Sequence, residues 1–274
     1  MRSIEDTVVL ITGATDGLGR GVARDLATRG ARVLLHGRSR EKLAELGDEL
    51  GNAPTFQADL ASLDEVRSLA TDVEAETPEL HVLINNAGIG SGRPDGTTRQ
   101  ESRDGHELRL AVNHLSGFLL TLRLLPLLRR SAPARIVHVA SLAQAPMDFD
   151  DPMLERGYSG SRAYGQSKLA QITAGFELAE RLDAAEVTVT SLHPSTYMPT
   201  KMVLEERGSA VDTLEAGVAA TSRLAVDPDL EGVTGRFYDR QAESTPDPRA
   251  SDPEARRRLW ALSLELTGER EPAL

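Results

Sequence analysis

A short β-branched run, Thr7 to Thr12, leads straight into Gly13-Ala14-Thr15-Asp16-Gly17-Leu18-Gly19 and then into an amphipathic stretch ending at Arg29. Val22, Ala23, Leu26 and Ala27 recur there at helical spacing, so the segment reads as strand, glycine-rich turn and helix. The alternation continues. Ala31 to His36, Thr55 to Ala58, Leu80 to Asn85, Arg135 to Ala140, Val187 to Leu192 and Thr234 to Tyr238 read as strands. Between or after them, Arg40 to Leu50, Leu63 to Ala75, Leu108 to Leu128, Ser161 to Leu182, Thr213 to Ala225 and Pro253 to Leu266 read as helices. Strands alternating with helices imply parallel pairing through right-handed crossovers. The expected fold is α/β, a single doubly wound Rossmann-type domain over residues 1–274, with a parallel sheet of about seven strands flanked by helices.

With 274 residues, 40% of them hydrophobic, the chain can bury one large core. It has no cysteine, which excludes disulfides and thiolate metal sites. A net charge of −11, from 31 basic and 42 acidic residues, argues against a nucleic-acid partner. No signal peptide is read at the N-terminus and no apolar run is read as a membrane span, so a cytoplasmic location is expected. Gly90 to Gly105, Met147 to Gly160 and Gln241 to Pro253 read as loops. Asp148, Asp150 and Asp151 lack a regular ligand spacing and read as a solvated loop, with no metal site expected. The six histidines are assigned core or surface roles, and Trp260 is expected to pack on the body.

Tyr164 and Lys168 stand four residues apart in Ala163-Tyr164-Gly165-Gln166-Ser167-Lys168, which places phenol and ammonium on one helix face. A nearby lysine charge favours the phenolate, and bringing a phenol from about 10 to about 7 takes roughly 4 kcal/mol. An exposed pair does not supply that, so a working site must be partly desolvated. A solvated helix face accommodates the same pair with no function, and the other motifs decide between the two. The turn from Thr12 to Gly19 opens a helix whose free N–H groups suit a pyrophosphate. Asp59-Leu60 and Asn85-Asn86-Ala87-Gly88 follow the third and fourth strands, at the sheet edge where ligands of open α/β folds bind.

These motifs together resemble those of the short-chain dehydrogenase/reductase superfamily, from about Thr7 to Tyr238. The resemblance implies a cofactor site of Gly13, Thr15, Asp16, Gly17, Leu18, Gly19, Asp59, Leu60, Asn86, Ala87 and Gly88. Pro194 and Ser195 would lie beside the nicotinamide, where relatives usually carry Pro-Gly, and Thr200 is displaced by one residue from the usual threonine. Ser141, Tyr164, Lys168 and Asn113 match the catalytic tetrad, with Tyr164 as acid/base, Lys168 also holding ribose hydroxyls and Asn113 anchoring a water. The second strand ends His36-Gly37-Arg38, where an acid would suit NAD(H) and an arginine a 2′-phosphate, so NADP(H) is favoured over NAD(H). Asp16 stands where some NADP-dependent relatives carry a base, and Arg38 in NAD-dependent relatives caps adenine.

The 23 residues from Ser141 to Tyr164 resemble the branch of retinol dehydrogenases and WW-domain oxidoreductases. Substrate loops are expected around 90–105, 142–160 and 195–212. Met147, Met153 and Leu154, facing Met198, Met202, Val203 and Leu204, suggest a lipophilic substrate or ordinary packing beneath loops. The expected function is hydride transfer between nicotinamide and a carbonyl or alcohol. The alternatives are a catalytically silent nicotinamide-binding scaffold and, third, an epimerase or dehydratase. By the same resemblance, Leu108 to Leu128 and Ser161 to Leu182 are the helices through which a homodimer or tetramer would form.

Overall fold

The computed structural model describes residues 3–92 and 96–272; residues 93–95 of the expected 90–105 loop and both chain ends lie outside the described residues. Strands β1 (Val8–Ile11), β2 (Arg32–Gly37), β3 (Thr55–Gln57), β4 (Val82–Asn85), β5 (Ala134–Val139), β6 (Val187–His193), β7 (Arg236–Asp239) and β8 (Ala242–Ser244) form one sheet in the order β3-β2-β1-β4-β5-β6-β7-β8. Seven strands are parallel, as the alternation implies. The eighth pairs antiparallel with β7 inside a segment expected to be loop. Ala242–Ser244 carries no apolar alternation; it is a strand because a tight turn at Arg240, with φ of 56°, folds it onto the exposed edge of β7.

Side chains of one strand alternate between two helix layers. Leu10, Leu34, Leu83 and Ile136 join the core beneath α3 (Leu63–Glu76) and the helices that follow β4 and β5. Val9, Ile11, Val33, Leu35 and Ile84 face α1 (Gly17–Thr28), α2 (Arg40–Glu49) and α8 (Leu214–Val226). Asp16, Ser39 and Ser62 cap α1, α2 and α3 with their side-chain oxygens, so each crossover starts at a polar residue that accepts a free N–H.

The fourth crossover is a 23-residue helical rod, Leu108–Arg130, made of α4 (Leu108–Leu110), a π turn (Ala111–Leu115) and α5 (Ser116–Arg130). By length and composition it could cross a membrane, contrary to the expectation that no such stretch exists. Its apolar residues are turned inward instead, and 78% of its most apolar window is buried within the fold. The π turn is centred on Asn113, inside a stretch expected to be one regular helix.

Helix α9 (Pro253–Thr267) lies against α6 (Gly160–Arg181) and the rod. Trp260 is 2% exposed, meets Phe118 edge-on at 5.0 Å between ring centres, and carries the Arg181 guanidinium 4.5 Å above its ring. The hydroxyl of Ser263 pairs with His114 Nε2 at 2.8 Å. The two helices expected to meet a second subunit are therefore partly covered by this chain's own C-terminal helix. Replacing Trp260 by Ala removes that contact and is expected to cost about 3–5 kcal/mol, measured as loss of stability in urea unfolding. A loss below 1 kcal/mol would show that α9 is not anchored there.

Candidate active site

At the C-terminal edge of the sheet the turns after β1 and β4 are stitched together. The Thr12 hydroxyl accepts from the backbone N–H groups of Asn86 and Ala87, each at 3.0 Å. The Asn86 amide returns to Thr12 O at 2.8 Å and Gly13 O at 3.2 Å. Gly19 has no room for a side chain, since a Cβ there would lie 2.2 Å from Gly13 O. His36 joins a third turn to these. Its Nδ1 accepts from Gly13 N at 3.2 Å while Nε2 faces Ala58 O at 3.1 Å, so the neutral ring with hydrogen on Nε2 satisfies both. Burial pushes its pKa down to about 4, which keeps it neutral. Thr12 is read in the sequence only as the start of the cofactor turn and His36 only as a core or surface residue; their signal, polar groups at strand ends, is common to many buried strands.

The residues following β2 bring cations to the same edge. Arg38 is exposed and makes no hydrogen bond or ion pair through its guanidinium among the described residues. Asp16, the acid that complicated the cofactor reading, is paired at 2.9 Å with Lys42, a residue not anticipated, and this pairing holds its carboxyl below the usual range. A Cβ on Gly37 would lie 2.6 Å from Thr15 Cγ2, so the backbone leaves no space for an acidic side chain without moving Thr15. Asp59 and Leu60 follow β3, with Asp59 turned onto Ala61 N at 3.0 Å and Leu60 buried.

The second half of the edge carries the four expected chemical groups. Lys168 is 4% exposed, and its ammonium donates to Val139 O at 2.8 Å and to Gln171 Oε1 at 3.4 Å. It lies 5.9 Å from the centre of the half-buried Tyr164 ring. Desolvation lowers its pKa from 10.5 to about 8. Asn113 is locked by Ile89, accepting from its N–H at 2.8 Å and donating to its carbonyl at 3.1 Å, and it also donates to Ser167 Oγ at 2.9 Å. A Cβ on Gly88 would come 3.2 Å from Asn113 Oδ1 and 3.4 Å from Lys168 Nζ, so Gly88, Asn113 and Lys168 share one small space. Ser141, 8% exposed, accepts from Ala143 N at 3.1 Å. Pro194 and Ser195 are buried just past β6, and Thr200 caps α7 (Lys201–Arg207) while touching the space beside Gly17. Glycines at the turn, a helix N-terminus and a buried ammonium beside an open glycine make a cradle that fits a dinucleotide.

The loops around this edge differ from expectation. Asp151 is buried, not solvated, and accepts from Glu155 N and Arg156 N; Asp148 holds Arg162 at 2.7 Å. Leu154 is fully buried and Met153 packs against the core with Sδ facing Glu107 N, so these side chains serve packing. Among the described residues the large exposed apolar side chains are Leu142, Tyr197, Leu204 and Val211. Beneath the loops lies a trio that composition gave no reason to expect, with Glu107 and Arg109 buried and Tyr158 half-buried: Arg109 donates to Tyr158 Oη at 2.7 Å and Gly90 O at 3.0 Å, while Tyr158 donates to Glu107 at 3.3 Å. It ties the 90–105 segment to the 142–160 segment.

The family model described as short chain dehydrogenase matches residues 7–209. Human retinol dehydrogenase 14 is 36% identical, over 95% of this chain and 86% of its own length, and mouse polyprenol dehydrogenase is 38% identical over 95% and 84%. Among solved structures, an uncharacterized protein from Mycobacterium paratuberculosis superimposes with a TM-score of 0.78 at 30% identity, covering 99% of this chain and 97% of that one. Pseudomonas aeruginosa RhlG in complex with NADP gives a TM-score of 0.71 at 26% identity over 87% and 97%.

The buried ammonium has a measurable consequence. The folded-state pKa of Lys168 is depressed, so between about 8 and 10.5 the unfolded chain holds a proton that the folded chain has released. Stability of the wild-type protein relative to Lys168→Met is expected to rise across that window by roughly 1 kcal/mol per pH unit in urea titrations. A flat or falling difference would contradict the desolvated ammonium.

Proposed function

From the premise that this chain belongs to the short-chain dehydrogenase family, as an enzyme of that family, we propose that it transfers hydride between NADP(H) and a lipophilic alcohol or aldehyde. The observation that carries this reading is the buried Lys168 ammonium, set beside Gly88 and Asn113 and one helical turn from Tyr164. A fully surface-exposed pair would not meet the desolvation that the chemistry requires.

In this reading the turn Gly13, Thr15, Asp16, Gly17, Leu18 and Gly19 receives the pyrophosphate at the start of α1. Arg38 and Lys42 receive the 2′-phosphate, Asp59 and Leu60 the adenine, and Asn86, Ala87 and Gly88 the nicotinamide ribose. Pro194 and Ser195 back the nicotinamide ring. The dinucleotide, when bound, supplies or accepts the hydride. Tyr164 gives a proton to the carbonyl oxygen in reduction and takes it back in oxidation. Lys168 favours the phenolate and holds ribose hydroxyls. The Ser141 hydroxyl donates to the substrate oxygen and stabilises its developing charge. Asn113 anchors a water through which protons reach Lys168.

Preference for NADP(H) is supported by the uncommitted Arg38 guanidinium, by Lys42 neutralising Asp16, and by glycine in place of an acid at position 37. The lipophilic substrate is supported by exposed Leu142, Tyr197, Leu204 and Val211 on the 142–160 and 195–212 loops and by relatives named for retinol and polyprenol. The 90–105 loop would complete that site.

Tyr164→Phe is expected to lower kcat/KM for aldehyde reduction by about 10²–10⁴ while leaving NADPH binding intact, followed by nicotinamide absorbance and by fluorescence titration. Activity equal to wild type would remove Tyr164 from the chemistry. Arg38→Ala is expected to weaken NADPH binding about tenfold or more with little change for NADH, as loss of a charge-assisted phosphate contact implies. Equal weakening of both would assign Arg38 to the adenine instead.

A further inference from the structure

Residues 197–211 leave the sheet edge and return to it as one excursion. Its neck is closed by two backbone hydrogen bonds, Val211 N to Tyr197 O at 3.0 Å and Asp212 N to Thr196 O at 3.2 Å. One carboxylate reinforces that neck from below. Asp212 Oδ2 accepts from the Ser195 hydroxyl and from Thr196 N, each at 2.9 Å. Arg240, at the β7–β8 turn, stands 3.7 Å from the same oxygen, and its own N–H donates to His193 O at 2.7 Å. His193 faces Thr196 Oγ1 at 3.1 Å, and Asp239 Oδ1 lies 3.8 Å from the same Arg240 Nε that faces Asp212. The end of β6, the neck and the unexpected β-hairpin thus meet at one anionic group.

We propose that Asp212 is a positioning residue that fixes Ser195 and Thr196 against the cofactor site and latches the 197–211 excursion closed over it. The cofactor part rests on the reading that Pro194 and Ser195 back the nicotinamide. The latch itself rests only on the hydrogen bonds. The inference also accounts for serine at a position where a glycine was expected. Ser195 is 4% exposed and its φ is not positive, so glycine's freedom is not used there; its hydroxyl is used to reach Asp212. The left-handed backbone falls at Tyr197 instead, with φ of 50°, at the mouth of the excursion. Charge-assisted hydrogen bonds of a carboxylate to two donors are about twice as strong as neutral ones, which suits a latch that must open for cofactor exchange without coming apart.

The experiment uses the full chain as wild type, Asp212→Ala, Asp212→Asn, Ser195→Ala and the Ser195→Ala/Asp212→Asn double variant. Two quantities are read: amide hydrogen exchange across 197–211 without cofactor, and the NADPH dissociation rate by stopped-flow fluorescence. Asp212→Ala is expected to raise exchange and NADPH dissociation about tenfold each, with Asp212→Asn, which keeps an accepting oxygen, in between. The double variant is expected to dissociate NADPH no faster than about the faster single variant, since both substitutions act on the same Ser195–Asp212 contact. Unchanged exchange in the Asp212 variants overturns the latch. Faster exchange with unchanged NADPH dissociation overturns the positioning role. Should Asp212→Ala not fold, Asp212→Asn and Ser195→Ala carry both readouts. If the wild-type protein binds neither NADPH nor NADH, the cofactor reading falls with the positioning role, and exchange alone decides the latch.

Discussion

Parallel pairing of β1 with both β2 and β4 is the constraint on which the rest of the structure depends. β1 sits in the middle of an order that runs outward through β2 and β3 on one side and β4 and β5 on the other. The chain crosses one helix layer, α1 and α2, to build β2 and β3, and the opposite layer to build β4, β5 and β6, before α8 returns to the first layer ahead of β7. A crevice therefore opens beyond the strand ends where the two halves diverge. Thr12 and Asn86, 74 residues apart in sequence, are brought to the two lips of that crevice and hydrogen-bond across it. Without that pairing, the glycine turn and the Asn86-Ala87-Gly88 turn would be two unrelated loops.

The crevice is lined by polar groups that a core ordinarily excludes, and each is held by specific partners. Lys168 is stripped of water but donates to two oxygens. His36 is buried and neutral with both ring nitrogens engaged. Glu107 and Arg109 are almost fully buried and share Tyr158. Burying such groups stabilises little on balance, because desolvation offsets much of the attraction. What they supply is position: the turns and loops that frame the crevice each end on one of these anchors.

Much of this arrangement was legible before any coordinates. The strands and crossover helices show as β-branched runs and as 3.6-residue periodicity, both local signals that survive tertiary folding. The Tyr164 and Lys168 pair is legible because four residues is one helical turn. Other features were not legible, for reasons that are also physical. β8 is a strand only because β7 offers it an unpaired edge. The π turn at Asn113 depends on a side chain locked to Ile89, and nothing in the local sequence reports that contact. Met153 and Leu154 look like adaptable loop residues, yet the loop folds inward onto Glu107 and the core. The apolar rod Leu108–Arg130 was not recognised as long enough to span a membrane, because its charges divide it on the page, and only packing shows where its apolar side faces.

By itself the sequence determined the family of the fold, the order of strands and helices, and the residue types gathered at the strand ends, since periodicity, glycine placement and short spacings are properties of neighbouring residues. Only the tertiary structure decided how those residues meet: Lys42 neutralising Asp16, His36 joining two turns, α9 covering α6, and Asp212 reaching Ser195. Each of these contacts joins positions distant in the chain, or depends on whether a group is dry. A linear sequence does not state how far apart such groups end up or how much water remains between them, and those two quantities set the strength of every charge and hydrogen bond at the site.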